Sequence, residues 1–271
     1  MVTFRVCFKR IFYIKLMIIR FQIAEETYQA DLSKPIDLSL SSKTMNSFKA
    51  WYRQEISFKT IIQGNFIGSV AQGGAVNFKE ITINPHANMT HTESVGHISK
   101  QEIPINQILK PFHYLAQVIS VKPQKVGTEN GVHKIGDQCV FLDQIKNKVN
   151  SNVEALIFRT QENYSELTIK DFNNTNWPYL AEETAEYIRN IGIKHLLIDQ
   201  PSVDKERDGG KLLSHKAFWN YPVTIDKERT ITELIGVPDE VEDGLFLLNL
   251  SIANIENDAS PSRPVIYKPI L

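Results

Sequence analysis

The chain has 271 residues, of which 42% are hydrophobic and 23% are charged, a composition typical of globular proteins. Thirty Lys and Arg residues against 31 Asp and Glu residues give a net charge of −1. This balance argues against the broad basic surface of a nucleic-acid-binding protein and against an acidic disordered chain. Two cysteines are too few for a disulfide framework, and no apolar run is long enough to span a membrane. We therefore expect a cytoplasmic protein with no nucleic-acid or membrane partner.

The first 22 residues are apolar but interrupted by five basic residues. They contain neither the unbroken apolar run nor the small-residue cleavage site of a signal peptide. We interpret residues 1–16 as a leader translated upstream of a true start at Met17, with a membrane-surface helix as the alternative. Residues 17–271 are predicted to form one domain, because no internal repeat or low-complexity linker divides them.

Predicted strands and one strong helical pattern follow along the chain. Residues 60–84 hold the clearest β pattern, in which glycines separate short apolar runs, and residues 153–159 read as a buried strand. The clearest helical pattern spans residues 176–190, with an apolar stripe along one face. The apolar run 193–199 after it is typical of another buried strand, and a helix followed by such a strand indicates an α/β fold.

The last third of the chain continues the same alternation. A second helix is predicted at about residues 209–219. Late strands are predicted at residues 244–252 and 265–267.

Three of the seven histidines, His86, His91 and His97, lie within 12 residues and enclose Glu93. Neutral imidazole and carboxylate are the ligands of zinc and similar divalent ions. His91 and Glu93 are two positions apart, so on an extended segment they share a face. Neighbouring proline and glycine residues argue against a helix, so a loop or strand is predicted to present these side chains. Solvated loop histidines are the alternative interpretation.

A second group of candidate residues follows the predicted strand at residues 193–199. Residues 198–204 (IDQPSVD) stand at its end, where sites tend to form in open α/β sheets. His215 comes 11 positions after this segment, and Glu233 a further 18 positions on. Taken alone, Glu233 is typical of a surface residue, but a buried carboxylate among apolar neighbours needs a partner or a metal.

Together these segments resemble the cyclase family of hydrolases, which includes arylformamidases and isatin hydrolases. The family pattern H-x-G-T-H-x-D-x-P-x-H is matched over most of its length by Thr90, His91, Glu93 and His97. Three later segments resemble the family's I-D-T-P-S-V-D, A-H-H-A and I-L-E-G-L motifs, in that order: residues 198–204, 213–218 and 231–234.

The resemblance implies a single-domain α/β fold of the swivelling β/β/α type, with a mixed sheet curled into a barrel-like core and helices outside. It also implies a divalent metal, zinc or manganese, with two ions in one site. The implied ligands are His86, His91, Glu93, His215 and Glu233. Glu93 would bridge the ions, Glu233 would touch both, and His97 would transfer a proton.

The sequence departs from the family pattern at two ligand positions. The first two histidines are five positions apart rather than four, and Ala87 occupies the strict position. We expect His86 to reach the metal through a one-residue bulge. Glu93 replaces the usual aspartate.

The implied activity is that of a metal-dependent amidohydrolase, arylformamidase-like, which cleaves a non-peptide amide, lactam or related acyl bond with metal-activated water. The alternative is a metal- or small-molecule-binding protein of the same fold without turnover. The resemblance further implies a small-molecule substrate and a homodimer or larger homo-oligomer. An aromatic residue in the region of Trp51 would contact the substrate; packing is the alternative role for Trp51.

Overall fold

The computed structural model describes residues 16–23, 25–161 and 163–270. The leader expected over residues 1–16 therefore lies outside the description except for its last residue. None of the helices in the described residues is both long enough and apolar enough to cross a bilayer.

Strands outnumber helices in the described part of the chain. The strands are, in chain order, β1 (Ile18–Ile23), β2 (Glu26–Asp31), β3 (Ile36–Asp37), β4 (Ser57–Thr60), β5 (Ile62–Gln63), β6 (Phe66–Ile67), β7 (Lys79–Thr82), β8 (His91–Glu93), β9 (His113–Ser120), β10 (Gln124–Lys125), β11 (Gln138–Val140), β12 (Ala155–Arg159), β13 (Tyr179–Leu180), β14 (His195–Ile198), β15 (Thr230–Glu233), β16 (Gly244–Asn249), β17 (Ala259–Pro261), β18 (Val265–Tyr267) and β19 (Pro269–Ile270). The α-helices are α1 (Pro85–Asn88), α2 (Ile105–Ile108), α3 (Tyr164–Leu167), α4 (Glu182–Asn190) and α5 (Leu213–Trp219).

A nine-stranded mixed sheet forms the centre of the fold, in the order β17-β8-β15-β14-β12-β9-β16-β18-β3. The four strands β15, β14, β12 and β9 run parallel, and antiparallel strands flank them on both sides. The sheet curls into a half-barrel with few helices, which confirms the expected single-domain α/β fold.

Alternate residues of β12 enter two apolar clusters, one on each face of the sheet. Leu156 and Phe158 belong to the cluster that contains Ile188 of α4 and Trp219 of α5, whereas Ile157 belongs to the opposite cluster. Successive side chains of a strand point to opposite faces, so both faces of the sheet are covered. Each such large apolar side chain stabilises the fold by roughly 1.5–3 kcal/mol when fully buried. Strands β8 and β15, which carry His91, Glu93 and Glu233, are thus anchored on a packed sheet.

The helix expected at residues 176–190 begins later, at Glu182. Tyr179 and Leu180 form strand β13, which pairs in parallel with β11. The 3.6-residue period correctly predicts the helix over Glu182–Asn190. The residues before it pair with β11 and are therefore not helical. The helix expected at residues 209–219 likewise begins at Leu213.

Strands β4 to β7 and the loops between them form a separate structure, which we call the arm (residues 57–82). Within it β4 pairs with β7 and β5 with β6, both antiparallel. The β pattern predicted for residues 60–84 is therefore confirmed.

Candidate metal centre

The histidine-rich segment is built from three short elements rather than one extended strand. Pro85 begins the single helical turn α1, which carries His86, so the prediction of a loop or strand is wrong at this position. The prediction holds for His91 and Glu93, which lie on strand β8. A 3-10 turn over Val95–His97 follows. The side chain of Ser94, just before this turn, accepts a hydrogen bond from the backbone N–H of Gly96 within it.

Strand pairing brings Glu233 to His91. β8 runs antiparallel to β15, and Glu233 stands directly opposite His91. Residues opposite each other on adjacent strands present their side chains on the same face. Glu233 Oε2 lies 3.5 Å from His91 Nε2, and Glu93 Oε2 lies 3.9 Å from the same nitrogen. Glu233 is buried, contrary to the surface position typical of such a residue taken alone.

Helix α5 delivers His215 to the same place. Its Nε2 lies 3.0 Å from Glu93 Oε1 and 3.7 Å from Glu233 Oε1. Its other ring nitrogen, Nδ1, lies 2.6 Å from Asp204 Oδ2. Asp204 also accepts hydrogen bonds from the backbone N–H groups of Ser214 and His215, so it fixes both the start of α5 and the histidine ring.

His86 and His97 complete the cluster on its more accessible side. His86 Nδ1 lies 3.2 Å from Glu93 Oε2, and His97 Nδ1 lies 3.7 Å from the same oxygen. The His86 and His97 side chains are 23% and 31% exposed, whereas those of His91 and Glu93 are fully buried. The side of the cluster formed by His86 and His97 is therefore the side open to solvent.

The donor atoms form two groups that share Glu93. One group joins His91, Glu93 and Glu233, the other joins His86, Glu93 and His97, and within each group the atoms lie within 4.8 Å of one another. Imidazole nitrogen and carboxylate oxygen are the donors of zinc and manganese sites.

Among the described residues of this cluster, two buried atoms lack a hydrogen-bond partner, and this tests whether a metal fits. They are His91 Nε2 and Glu93 Oε2. An unpartnered buried polar atom costs about 1–3 kcal/mol, so a native structure needs a reason for two of them side by side. A cation between them satisfies both lone pairs. The residues present therefore fit a divalent ion.

The far nitrogen of each candidate histidine ligand has an acceptor of its own. His91 Nδ1 lies 3.0 Å from the carbonyl oxygen of Met89, His215 Nδ1 faces Asp204, and His86 Nε2 lies 3.1 Å from Asp258 Oδ2. Metal-binding histidines nearly always donate their second N–H to a carboxylate or carbonyl, which fixes the tautomer.

The carboxylates of the cluster shift the pKa values of the histidines that face them. Burial lowers the pKa of His86, but the facing carboxylates of Asp258 and Glu93 outweigh burial and raise that pKa to about 10. The pKa of His215 is raised for the same reason by Asp204 and Glu93, against the effect of burial. Burial raises the pKa of Glu93, but the facing histidines hold it well below its usual range.

Trp51 lies beside the helical turn that carries His86. The N–H of Ala50 donates to the carbonyl of Ala87 at 2.8 Å, which ties the two segments together. Trp51 packs edge-on against Trp177, with ring centroids 4.9 Å apart. Trp51 and Tyr52 both have positive φ angles, 54° and 56°. Strained backbone of this kind clusters at functional sites.

Sequence reasoning assigned no role to two acidic residues that hold the histidines. Asp204 ends the IDQPSVD segment, so the resemblance marked its position but not its bond to His215. Asp258 lies in the loop before β17, 161 positions after His97, and its local sequence carries no ligand pattern.

The half-barrel thus carries a buried histidine–carboxylate cluster whose donor atoms suit a divalent metal. The chain belongs to the cyclase family: the family's sequence model, described as "Putative cyclase", matches residues 30–205.

Among individual proteins, the chain is 24% identical to a kynurenine formamidase of Bacillus cytotoxicus over 196 residues, which are 72% of this chain and 82% of the relative. It is 26% identical to a kynurenine formamidase of Bacillus cereus over 203 residues, which are 74% and 85% of the two chains.

Two solved structures show the same fold. An isatin hydrolase bound to the product analogue thioisatinate superposes with a TM-score of 0.61 at 12% identity, covering 88% of this chain and 93% of that one. A predicted metal-dependent hydrolase from Bacillus stearothermophilus superposes with a TM-score of 0.57 at 15% identity, covering 86% and 98%.

Proposed function

We propose that this protein is a metal-dependent hydrolase that cleaves an amide, lactam or related acyl C–N bond of a small molecule, in the manner of an arylformamidase. The observation that carries the proposal is the pair of buried, unpartnered donors, His91 Nε2 and Glu93 Oε2, inside a shell of further histidines and a second carboxylate. The formamidase names of the relatives in the same family support the choice of bond.

The chain would hold the metal through His86, His91, Glu93, His215 and Glu233. Glu93 belongs to both donor groups, which supports a site where two ions, of zinc or manganese, would share this carboxylate. A divalent ion, when bound, polarises a carbonyl oxygen and lowers the pKa of water toward about 7.

Hydrolysis forms a C–O bond with water, breaks the C–N bond and needs one proton on the leaving nitrogen. We assign this proton transfer to His97, whose ring is the more exposed edge of the cluster. Its Nδ1 lies 3.2 Å from Asp258 Oδ2, so Nε2 is the nitrogen left to exchange the proton. Trp51 is proposed to form an aromatic wall of the substrate site, which its strained backbone and its link to α1 support.

The test is turnover of N-formyl anilines, isatin-type lactams and aryl lactones by metal-loaded protein, together with metal analysis by mass spectrometry. We expect bound zinc or manganese, hydrolysis of at least one class, and loss of hydrolysis in His97→Ala with metal content unchanged. Absence of any bound or activating divalent ion would refute the proposal. Bound metal without turnover would favour the alternative, a metal- or small-molecule-binding protein of the same fold.

We also propose that the protein is a homodimer or larger homo-oligomer that works in the cytoplasm. The arm exposes several large apolar side chains, which on a monomer would contact water: Phe58, Ile62, Phe66, Phe78 and Ile81. Cys139 is a free, buried thiol, which suits a reducing compartment.

Light scattering during size-exclusion chromatography tests the assembly. We expect a mass of at least two chains for the wild type and a shift toward one chain in Phe58→Lys. A monomeric wild type at micromolar concentration would contradict the proposed assembly without affecting the proposed reaction.

A further inference from the structure

A single carboxylate oxygen of Asp258 faces two histidines of the cluster. Oδ2 lies 3.1 Å from His86 Nε2 and 3.2 Å from His97 Nδ1. The two imidazole rings lie close together, with centroids 4.3 Å apart and planes inclined by 33°. A single acceptor between them therefore sets the orientation of both rings at once.

The backbone holds Asp258 at this place independently of its side chain. Its carbonyl accepts a hydrogen bond from the N–H of Ser94 at 2.9 Å, next to the ligand Glu93. The following residue, Ala259, begins β17 and stands opposite Glu93 in the antiparallel pair with β8. The carboxylate thus approaches the histidines from the residue that directly precedes a neighbouring strand of the same sheet.

In the His86 and His97 rings, the nitrogen that faces Asp258 is held by that contact, which leaves the other nitrogen of each ring for a second role. In His86, Nε2 faces Asp258 and Nδ1 faces Glu93 at 3.2 Å, so donation to Asp258 directs the lone pair of Nδ1 toward the donor cluster. In His97, Nδ1 lies 3.2 Å from Asp258 and 3.7 Å from Glu93. Its proton therefore belongs to the bond with Asp258.

We propose that Asp258 is a positioning residue that fixes the tautomer and orientation of His86 as a metal ligand and of His97 as the proton-transfer residue. His86 stands one position before the strict family position, where the fully buried Ala87 lies. A ligand carried on a displaced helical turn depends on a second contact for its ring orientation, and Asp258 provides it. This role parallels that of Asp204 toward His215 at the opposite side of the cluster.

The proposal rests on the proposed function, and three measurements keep the two separable. The variants are Asp258→Ala and Asp258→Asn. The matched control is Glu256→Gln, a neutralisation two positions away in the same loop at an exposed side chain. Circular dichroism checks that each variant is folded.

The first measurement is the affinity for Zn²⁺, by competition with a chromophoric chelator. We expect Asp258→Ala to bind about 10- to 100-fold more weakly, the usual cost of removing a carboxylate that orients a metal ligand. Asp258→Asn should fall between Ala and the wild type, because a neutral acceptor makes a weaker hydrogen bond than a charged one. Glu256→Gln should match the wild type.

The second measurement needs neither metal nor substrate. In the 15N NMR spectrum of the metal-free protein, His97 Nδ1 should show the shift of a protonated nitrogen in the wild type and in Glu256→Gln. In Asp258→Ala it should move toward a mixture of tautomers. The third measurement, on any substrate that the wild type hydrolyses, should show kcat lower by roughly tenfold or more with KM little changed.

Unchanged Zn²⁺ affinity and an unchanged His97 tautomer in folded Asp258→Ala would overturn the assignment, whatever the activity. A wild type that binds no divalent ion would refute the proposed function and the metal-ligand half of this proposal. The NMR experiment would still decide the role of Asp258 toward His97. A zinc-loaded crystal structure in which Asp258 itself coordinates the ion would also overturn the positioning role.

Discussion

Replacing Glu233 with glutamine tests the second carboxylate of the centre while preserving its shape. Glu233 Oε1 accepts a hydrogen bond from the N–H of Val203 at 2.9 Å, and a glutamine carbonyl oxygen can still accept it. Oε2 faces His91 Nε2 at 3.5 Å, and this is where the negative charge is lost. The variant therefore changes the charge of the cluster and little of its packing.

The expected loss follows from Coulomb's law. A unit positive charge placed as far from Glu233 Oε2 as the His91 ligand nitrogen is, 3.5 Å, would interact with the carboxylate by about 4.7 kcal/mol at an effective dielectric constant of about 20. If structural relaxation and entering water compensate half of this lost interaction energy, the net loss of metal-binding free energy is about 2.4 kcal/mol. This loss corresponds to roughly a 50-fold change in a binding constant. We therefore expect Glu233→Gln to bind Zn²⁺ or Mn²⁺ at least about 50-fold more weakly, and to lose hydrolysis with it.

Chelator competition measures the affinity, and Glu228→Gln is the control. The chemical change is the same, but the Glu228 side chain is 80% exposed and pairs with Lys194 at 3.5 Å on the surface. Surface pairs of this kind contribute about 0–1 kcal/mol, so the control should bind metal as the wild type does. Retained affinity and activity in Glu233→Gln, with loss of both in Glu228→Gln, would refute the assignment.

Two further predictions concern the scaffold of the site. Burial outweighs the hydrogen bonds of Asp199 and raises its pKa from the ordinary 3.8 to about 6. The fold should therefore lose about 2.4 kcal/mol as pH rises from 4 to 7, because the unfolded chain ionises first. Urea unfolding should show this loss in the wild type relative to Asp199→Asn, and a pH-independent difference would contradict it. In Gly96→Ala, the new Cβ would lie 2.6 Å from the carbonyl oxygen of Ile103. We expect about 1–3 kcal/mol of destabilisation and a displaced His97, seen as a lower kcat at normal metal content. Gly127→Ala, where no atom lies within 4 Å, should behave as the wild type.

Local sequence was sufficient where an element depends on its own residues. The strand predicted at residues 265–267 has the same bounds in the structure, and the apolar run 193–199 contains β14. His91 and Glu93 share a face because their spacing of two matches the period of a strand, and the structure forms a strand there. In such cases the periodicity of the side chains is enough to predict which residues share one face of the element.

The same reasoning failed where a distant partner decides the conformation. Leu180 fits the helical stripe predicted within residues 176–190, yet Tyr179 and Leu180 pair with β11, which lies some 40 positions earlier in the chain. By sequence alone Pro85 argues against a helix, whereas in the structure it starts the helical turn that directs His86 toward Glu93. Neither a period of 3.6 residues nor a single proline indicates which distant strand a segment will pair with.

The sequence by itself determined the donor chemistry of this protein, because the residue types and their spacing in the histidine-rich segment limit the site to hard or borderline divalent metals. Only the tertiary structure decided which carboxylates join it. Glu233 enters because its strand stands opposite His91 in the sheet, and Asp258 enters because β17 pairs on the other side of β8. Strand register places residues more than 100 positions apart at hydrogen-bond distance, and no local pattern encodes that register.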